Sequence, residues 1–147
     1  MGQLTLPESG TIYIDTSVVI YTIEGSPDYY SLLQPLWAKF RSREIEIISS
    51  ELILMEALVV PVRNADDSLI ADYEQLLLSS EMRLIPINQS VLREAARLRA
   101  TTTLKTPDAI HAATALSVNC TQFVTNDKGF RNVPSLPVVV LGEVLAA

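Results

Sequence analysis

Short apolar runs of strand length alternate with helix-period segments along the whole chain, the pattern an α/β domain built on a parallel sheet requires. Residues 11–15 (TIYID) read as a first buried strand, β-branched and aromatic, followed directly by a helix through Val18, Val19 and Tyr21. After a turn at Gly25 and Pro27, the pattern predicts a helix over 28–40, a strand over 44–49 (EIEIIS) and an apolar helix that Ser50 caps and Pro61 ends near Val62. A helix over 65–79, a strand over 83–87 and an Arg-rich amphipathic helix over 89–100 follow. Thr106-Pro107-Asp108 is a helix start: Thr106 caps, Pro107 suits the first helical position, and the Ala-rich helix runs to about Val118. Residues 122–125 (QFVT) form a strand, 126–129 a loop and 137–141 (PVVVL) a last buried strand.

A chain of 147 residues has the length of one ordinary domain, and 48% hydrophobic against 19% charged residues place it in the globular class. A single domain over 1–147 is expected, with a short N-terminal extension through Gly10. Cys120 is the only cysteine, so no internal disulfide exists and the thiol fits a reducing cytoplasm as inert packing. No secretory signal pattern opens the chain, Leu6 stands where myristoylation needs Ser or Thr, and the longest apolar runs are too short to span a bilayer. The expectation is a soluble protein with no membrane partner.

A formal charge of −6 argues against a nonspecific nucleic-acid coat, which draws on a surplus of Lys and Arg. Basic residues do cluster at Lys39, Arg41 and Arg43, and at Arg93, Arg97, Arg99 and Lys105. Each cluster reads equally well as a local phosphate-binding rim or as a solvated helix face.

Four acids call for explanation. Asp15 closes one apolar strand and Asp127 stands two residues past another, which puts both at the carboxyl ends of parallel strands, where ligands bind in open α/β sheets. A plain helix cap is the competing reading of Asp15. Glu56 has Leu52, Ile53, Val59 and Val60 as helical neighbours, so the expectation is a buried carboxylate that needs a partner, with exposure on a helix edge the alternative. No Lys or Arg lies within a helical turn of it. Asp108 in a first helical turn is favoured by the macrodipole in its own right. Convergence of the four would be repulsive without divalent cations, and carboxylate and water ligands suit Mg²⁺ or Mn²⁺ rather than zinc. His111 is the only histidine and reads as packed or surface-exposed rather than catalytic, which leaves no material for a zinc site or a Ser-His-Asp triad. No glycine-rich phosphate loop is present, so no nucleotide cofactor is indicated.

The segments IYIDTSVVIY around Asp15, SSELILMEAL around Glu56, KTPDAIHAATAL around Asp108 and FVTNDKGF around Asp127 together resemble PIN-domain ribonucleases, especially the VapC-type toxins of bacterial and archaeal toxin–antitoxin pairs. The resemblance implies a PIN-like three-layer α/β/α sandwich with a mainly parallel central sheet. It implies that Asp15, Glu56 and Asp108 are the core catalytic and metal-binding acids, with Asp127 the fourth and more variable one. Thr16 and Ser17 match the small hydroxyl positions after the first acid, Thr125 matches the hydroxyl before the last, and Asn126 assists. These four would support the carboxylates from behind.

The function so implied is endonucleolytic cleavage of RNA, in which Mg²⁺ or Mn²⁺ activates water for in-line attack on a phosphodiester. The resemblance also implies a cognate antitoxin, for which Tyr29, Leu32, Leu33 and Trp37 could line a groove, and a homodimer; core packing is the simpler reading of those four residues. A different class of answer is a catalytically silent PIN-like module that binds RNA or protein, against which the retention of all four acids speaks. A phosphohydrolase or receiver-type domain with Asp15 as phosphoacceptor would want further acids beside it, where Thr16 and Ser17 stand.

Overall fold

In a computed structural model, residues 2–147 are described; Met1, the first residue of the expected domain span, lies outside them. Five strands, β1 (Thr11–Ile14), β2 (Glu46–Ser50), β3 (Arg83–Ile85), β4 (Gln122–Thr125) and β5 (Val138–Val140), form one sheet in the order β3-β2-β1-β4-β5. Every pairing is parallel, with Ile12 opposite Ile47 on one side and Gln122 on the other. The chain builds outward from β1 to β2 and β3, then returns to the far side of β1 for β4 and β5. The switch point of the sheet therefore falls between β1 and β4, where a crevice opens at the carboxyl ends of the strands.

The central strands are buried on both faces, as parallel strands must be when helices cover each side. Along β1, Ile12 and Ile14 point to one core and Tyr13 to the other, the period-2 alternation of a strand. Helices α1 (Thr16–Ile23), α2 (Tyr30–Arg41), α3 (Leu52–Arg63) and α4 (Asp67–Ser79) pack through Val18, Leu33, Trp37, Ile53 and Tyr73 onto the first face. Helices α5 (Gln89–Thr101) and α6 (Thr106–Ser117) pack through Val91, Leu98 and a run of alanines onto the second, giving three layers. The N-terminal segment belongs to this body: Leu4 is buried and the Thr5 carbonyl accepts from Gln122. No helix among the described residues is long and apolar enough to cross a membrane.

Several expected boundaries move, each for a physical reason. Pro61 does not end its helix; it sits buried within α3, which continues to Arg63. Ser50 is the last residue of β2 rather than the residue flanking the helix, although its hydroxyl still accepts from the Leu52 amide. Thr106 makes no cap, because Lys105 occupies that position and the Thr106 hydroxyl accepts from Arg99 instead, at 2.7 Å. The last apolar run stops being a strand at Val140, and Leu141–Ala146 form a short helix, α7, that sequence reading merged into the strand and tail. Trp37 and Leu33 lie in the core, so they line no partner groove.

Candidate active site

Asp15 follows β1 directly and is buried, yet its carboxylate makes no capping hydrogen bond to α1. Its oxygens are taken elsewhere: Ser17 donates to Oδ1 at 2.6 Å and Thr125, one strand away, donates to Oδ2. Burial pushes the Asp15 carboxyl above the usual range, and the hydroxyls of Ser17 and Thr125 oppose that shift without cancelling it. Asp15 stands at the cap position of α1, but capping does not account for its burial or for its bond to Thr125, and a costly buried acid stands at the sheet's switch point.

Glu56 departs from the expectation of a fully buried, apolar setting. Its side chain is 24% exposed, and Val59 and Val60 turn outward to solvent, because α3 packs its Ile53–Ala57 face rather than its Val59–Val60 face on the core. The partner it needs is His111: Nε2 lies 2.6 Å from Oε1, and the Thr16 hydroxyl donates to the same oxygen at 2.7 Å. Burial pushes Glu56 up, but the hydrogen bonds from His111 and Thr16 outweigh it and hold the carboxyl below its ordinary range.

Asp108 sits in the first turn of α6, half-buried, and no hydrogen bond contributes to its shift. Burial first, then the negative charges of Asp127, Asp15 and Glu56, raise its pKa; His111 opposes them. That mutual influence is the electrostatic signature of acids that share one space. Asp127 is exposed, and its Oδ1 accepts from the Gly129 amide at 2.8 Å to start a 3-10 turn over Lys128–Asn132. Asn126 reaches no carboxylate; it donates to the Tyr21 hydroxyl at 3.0 Å and accepts from the Gly142 amide at 2.8 Å, tying α1 to α7.

All four acids, with Thr16, Ser17, Tyr21, His111 and Asn126, line one cavity of about 250 Å³ at the carboxyl edge of the sheet. A larger cavity of about 580 Å³ lies between the N-terminal segment, α2 and α7, where Asp28 is the only acid and prolines and leucines dominate the lining. The cavity with the chemistry is the smaller one.

The donor set is hard carboxylate oxygen, which suits Mg²⁺ or Mn²⁺. Among the described residues no three Asp, Glu, His or Cys side chains form a closed ligand group. The reason is visible in the hydrogen bonds: Asp15 and the Oε1 of Glu56 are drawn toward neighbouring donors. The fit is therefore to a cation held by one or two carboxylates that keeps several waters, the usual habit of Mg²⁺.

His111, expected to be packed or at the surface, is packed, at 2% exposed, but it also touches the site, and sequence reasoning gave it no role there. The signal was its position three residues after Asp108, one turn further along the helix face that meets the sheet. Of the basic clusters, Lys39, Arg41 and Arg43 fall at the opposite edge, just before β2 begins, with Lys39 facing Glu44 and Arg43 facing Glu81. Arg99 and Lys105 lie at the end of α6 that carries Asp108, and Lys128 follows Asp127. Cys120 is buried and burial pushes its thiol up to about 11, in keeping with an inert residue.

The structure is similar to that of VapBC2 from Rickettsia felis bound to a promoter DNA fragment, with TM-score 0.70 and 20% identity over 88% of this chain and 98% of that one. It is also similar to a toxin–antitoxin complex from Klebsiella pneumoniae, with TM-score 0.63 and 25% identity over 88% and 97% of the two chains. A third likeness is to Mycobacterium tuberculosis VapC20, a sarcin-ricin loop cleaving toxin, with TM-score 0.68 and 17% identity over 82% and 92%. No curated protein matches the sequence significantly. The PIN domain family model matches residues 12–136, a span that takes in β2, β3 and β4, all of β1 but Thr11, and all four acids, and that ends just before β5. The chain belongs to the PIN domain family.

Proposed function

We propose that this PIN domain is a Mg²⁺- or Mn²⁺-dependent endoribonuclease and the toxin of a toxin–antitoxin pair. The observation that carries the reading is the convergence of Asp15, Glu56, Asp108 and Asp127 on one cavity at the switch point, with Asp108 raised first by burial and then by the charges of the other three. PIN-domain proteins are nucleases as a family, and no glycine lines the cavity to form a phosphate loop. When bound, the cation supplies neutralisation of phosphate charge and activation of the attacking water.

The chain's own residues do the rest. Asp15, fixed by Ser17 and Thr125, and Asp108, whose side chain takes no hydrogen bond among the described residues, are the principal ligands; Glu56 and Asp127 complete the charge. The hydroxyls of Thr16, Ser17 and Thr125 set the carboxylate orientations before any ligand arrives, which lowers the cost of organising the site. Arg99, Lys105 and Lys128 give an otherwise acidic protein local positive charge beside the acids, where an RNA backbone would run.

A cognate antitoxin and a second copy of the chain are the proposed partners. Toxin–antitoxin complexes are among the similar structures, and α3 exposes Met55, Val59 and Val62 on one stripe adjacent to Glu56. The proposed place of action is the cytoplasm, where RNA is the available substrate.

The test is brief expression of wild type and Asp15→Asn, with new 5′ ends mapped across total RNA. Discrete cleavage sites with wild type and none with the variant are expected. Equal cleavage in both, or none with wild type freed of its partner and supplied with Mg²⁺ or Mn²⁺, would overturn the reading. Copurification and sedimentation check the two partners.

A further inference from the structure

We propose that His111 is a positioning residue for Glu56: its imidazole, held at Nδ1 by Tyr13, donates from Nε2 to pin one carboxylate oxygen and leaves the other to face the cavity. The proposal rests on the nuclease reading only for its consequence, not for its geometry.

Tyr13 belongs to β1, is fully buried, and carries its hydroxyl 2.6 Å from Nδ1 of His111. Tyr13 thereby fixes the Nδ1 side of the ring, and Nε2 points at Oε1 of Glu56 from 2.6 Å. A carboxylate oxygen accepts and cannot donate, so Nε2 carries the proton of that hydrogen bond. The reverse tautomer would set a nitrogen lone pair against a carboxylate oxygen at that distance, a repulsive contact. Thr16 of α1 donates to the same Oε1, so donors from two helices grip one oxygen of a third helix's carboxylate. Neither of these hydrogen bonds uses Oε2.

The ring is itself held by a packed aromatic column. Tyr13 meets His111 edge-on, with centroids 5.8 Å apart, and stacks on Phe123 at 5.0 Å with planes 5° apart. Phe123 packs on Phe130 at 4.6 Å, in the turn that Asp127 starts. Glu56 and Asp127, which both line the cavity, are therefore referred to the same column through the sheet. A shift of the ring would move Glu56 relative to the other acids.

The chain's single histidine makes the test direct. Long-range ¹H–¹⁵N correlation of the wild-type ring should show a proton-bearing Nε2. An Nε2 without a proton would overturn the assignment. His111→Leu, checked for native circular dichroism, should lose about 10- to 100-fold in both Mn²⁺ affinity, read by electron paramagnetic resonance, and RNA cleavage. His111→Gln, which returns an N–H near the Nε2 position, should recover most of both. Leucine and wild-type proteins that bind Mn²⁺ and cleave alike would also overturn it, and if the leucine protein does not fold, the ring spectrum decides. A wild type that neither binds Mn²⁺ nor cleaves RNA would count against the nuclease reading, while the ring spectrum would still judge the Tyr13–His111–Glu56 relay.

Discussion

The Thr125 hydroxyl donates to Oδ2 of Asp15 across the β1–β4 pair, binding the first acid of the chain to the strand that leads to the last. The same oxygen of Thr125 accepts the Asp127 amide at 3.0 Å, so one buried side chain sets the spacing of two acids. Thr125→Val keeps the shape but removes both hydrogen bonds. It should destabilise the fold by about 1–3 kcal/mol, the cost of a buried polar group left unpaired, and depress cleavage. Thr125→Ser should restore both. Thermal melts beside a cleavage assay check this.

Asp15 is a buried acid raised above its ordinary pKa, so without a cation its ionised form opposes folding. Asp15→Asn should therefore melt at a higher temperature than wild type in EDTA, while cleavage falls below roughly 1% of wild type, beyond what loss of an outer partner costs. Adding Mg²⁺ should stabilise the wild type and leave the variant unmoved. Calorimetric scans with and without Mg²⁺ read both effects; a destabilised, cleaving variant would contradict the assignment.

The pH dependence has a definite sign. Asp15 and Asp108 are raised, chiefly by burial, so between the ordinary carboxylate value near 4 and their raised values the folded chain binds more protons than the unfolded one. Their contribution to stability in EDTA grows as pH falls through that window. Glu56, held low by His111 and Thr16 despite its burial, acts oppositely: its contribution is present above the ordinary carboxylate value and is lost as pH falls through its depressed one. The chelated protein should thus be most stable on the acid side of neutrality, and excess Mg²⁺ should flatten the decline toward higher pH. Melting curves across the range check both limbs.

An acidic protein that binds RNA should depend on few cations. Lys105→Ala and Lys128→Ala, made in an Asp15→Asn background so that substrate survives, should each weaken RNA binding and reduce the slope of log affinity against log salt by about 0.7. Lys39→Ala, at the other edge of the sheet, should change neither. Filter binding at several salt concentrations separates the cases.

What sequence reading reached, and what it missed, divides along a physical line. Asp15 and Asp127 were legible because a parallel strand ends in a known place, and the chain order through β1, β2 and β4 puts those ends on one edge. The partner of Glu56 was not legible, because His111 lies 55 residues away in the chain, on another helix, and helical periodicity relates only residues within a turn or two. Its exposure was misjudged because a uniformly apolar helix does not reveal which face it buries; α3 turns Met55, Val59, Val60 and Val62 to solvent. Pro61 misled for a related reason: it forgoes one helical hydrogen bond, but its ring packs in the core and the helix runs on to Arg63.

Diffraction from crystals soaked in Mn²⁺, with data collected for anomalous scattering, tests the central claim most directly. A peak inside the cavity bounded by Asp15, Glu56, Asp108 and Asp127, within about 2–2.5 Å of an Asp108 oxygen, is the predicted result, and it should vanish in Asp108→Asn. A saturating soak that leaves this cavity without a peak, or a peak that persists in the variant, would contradict it.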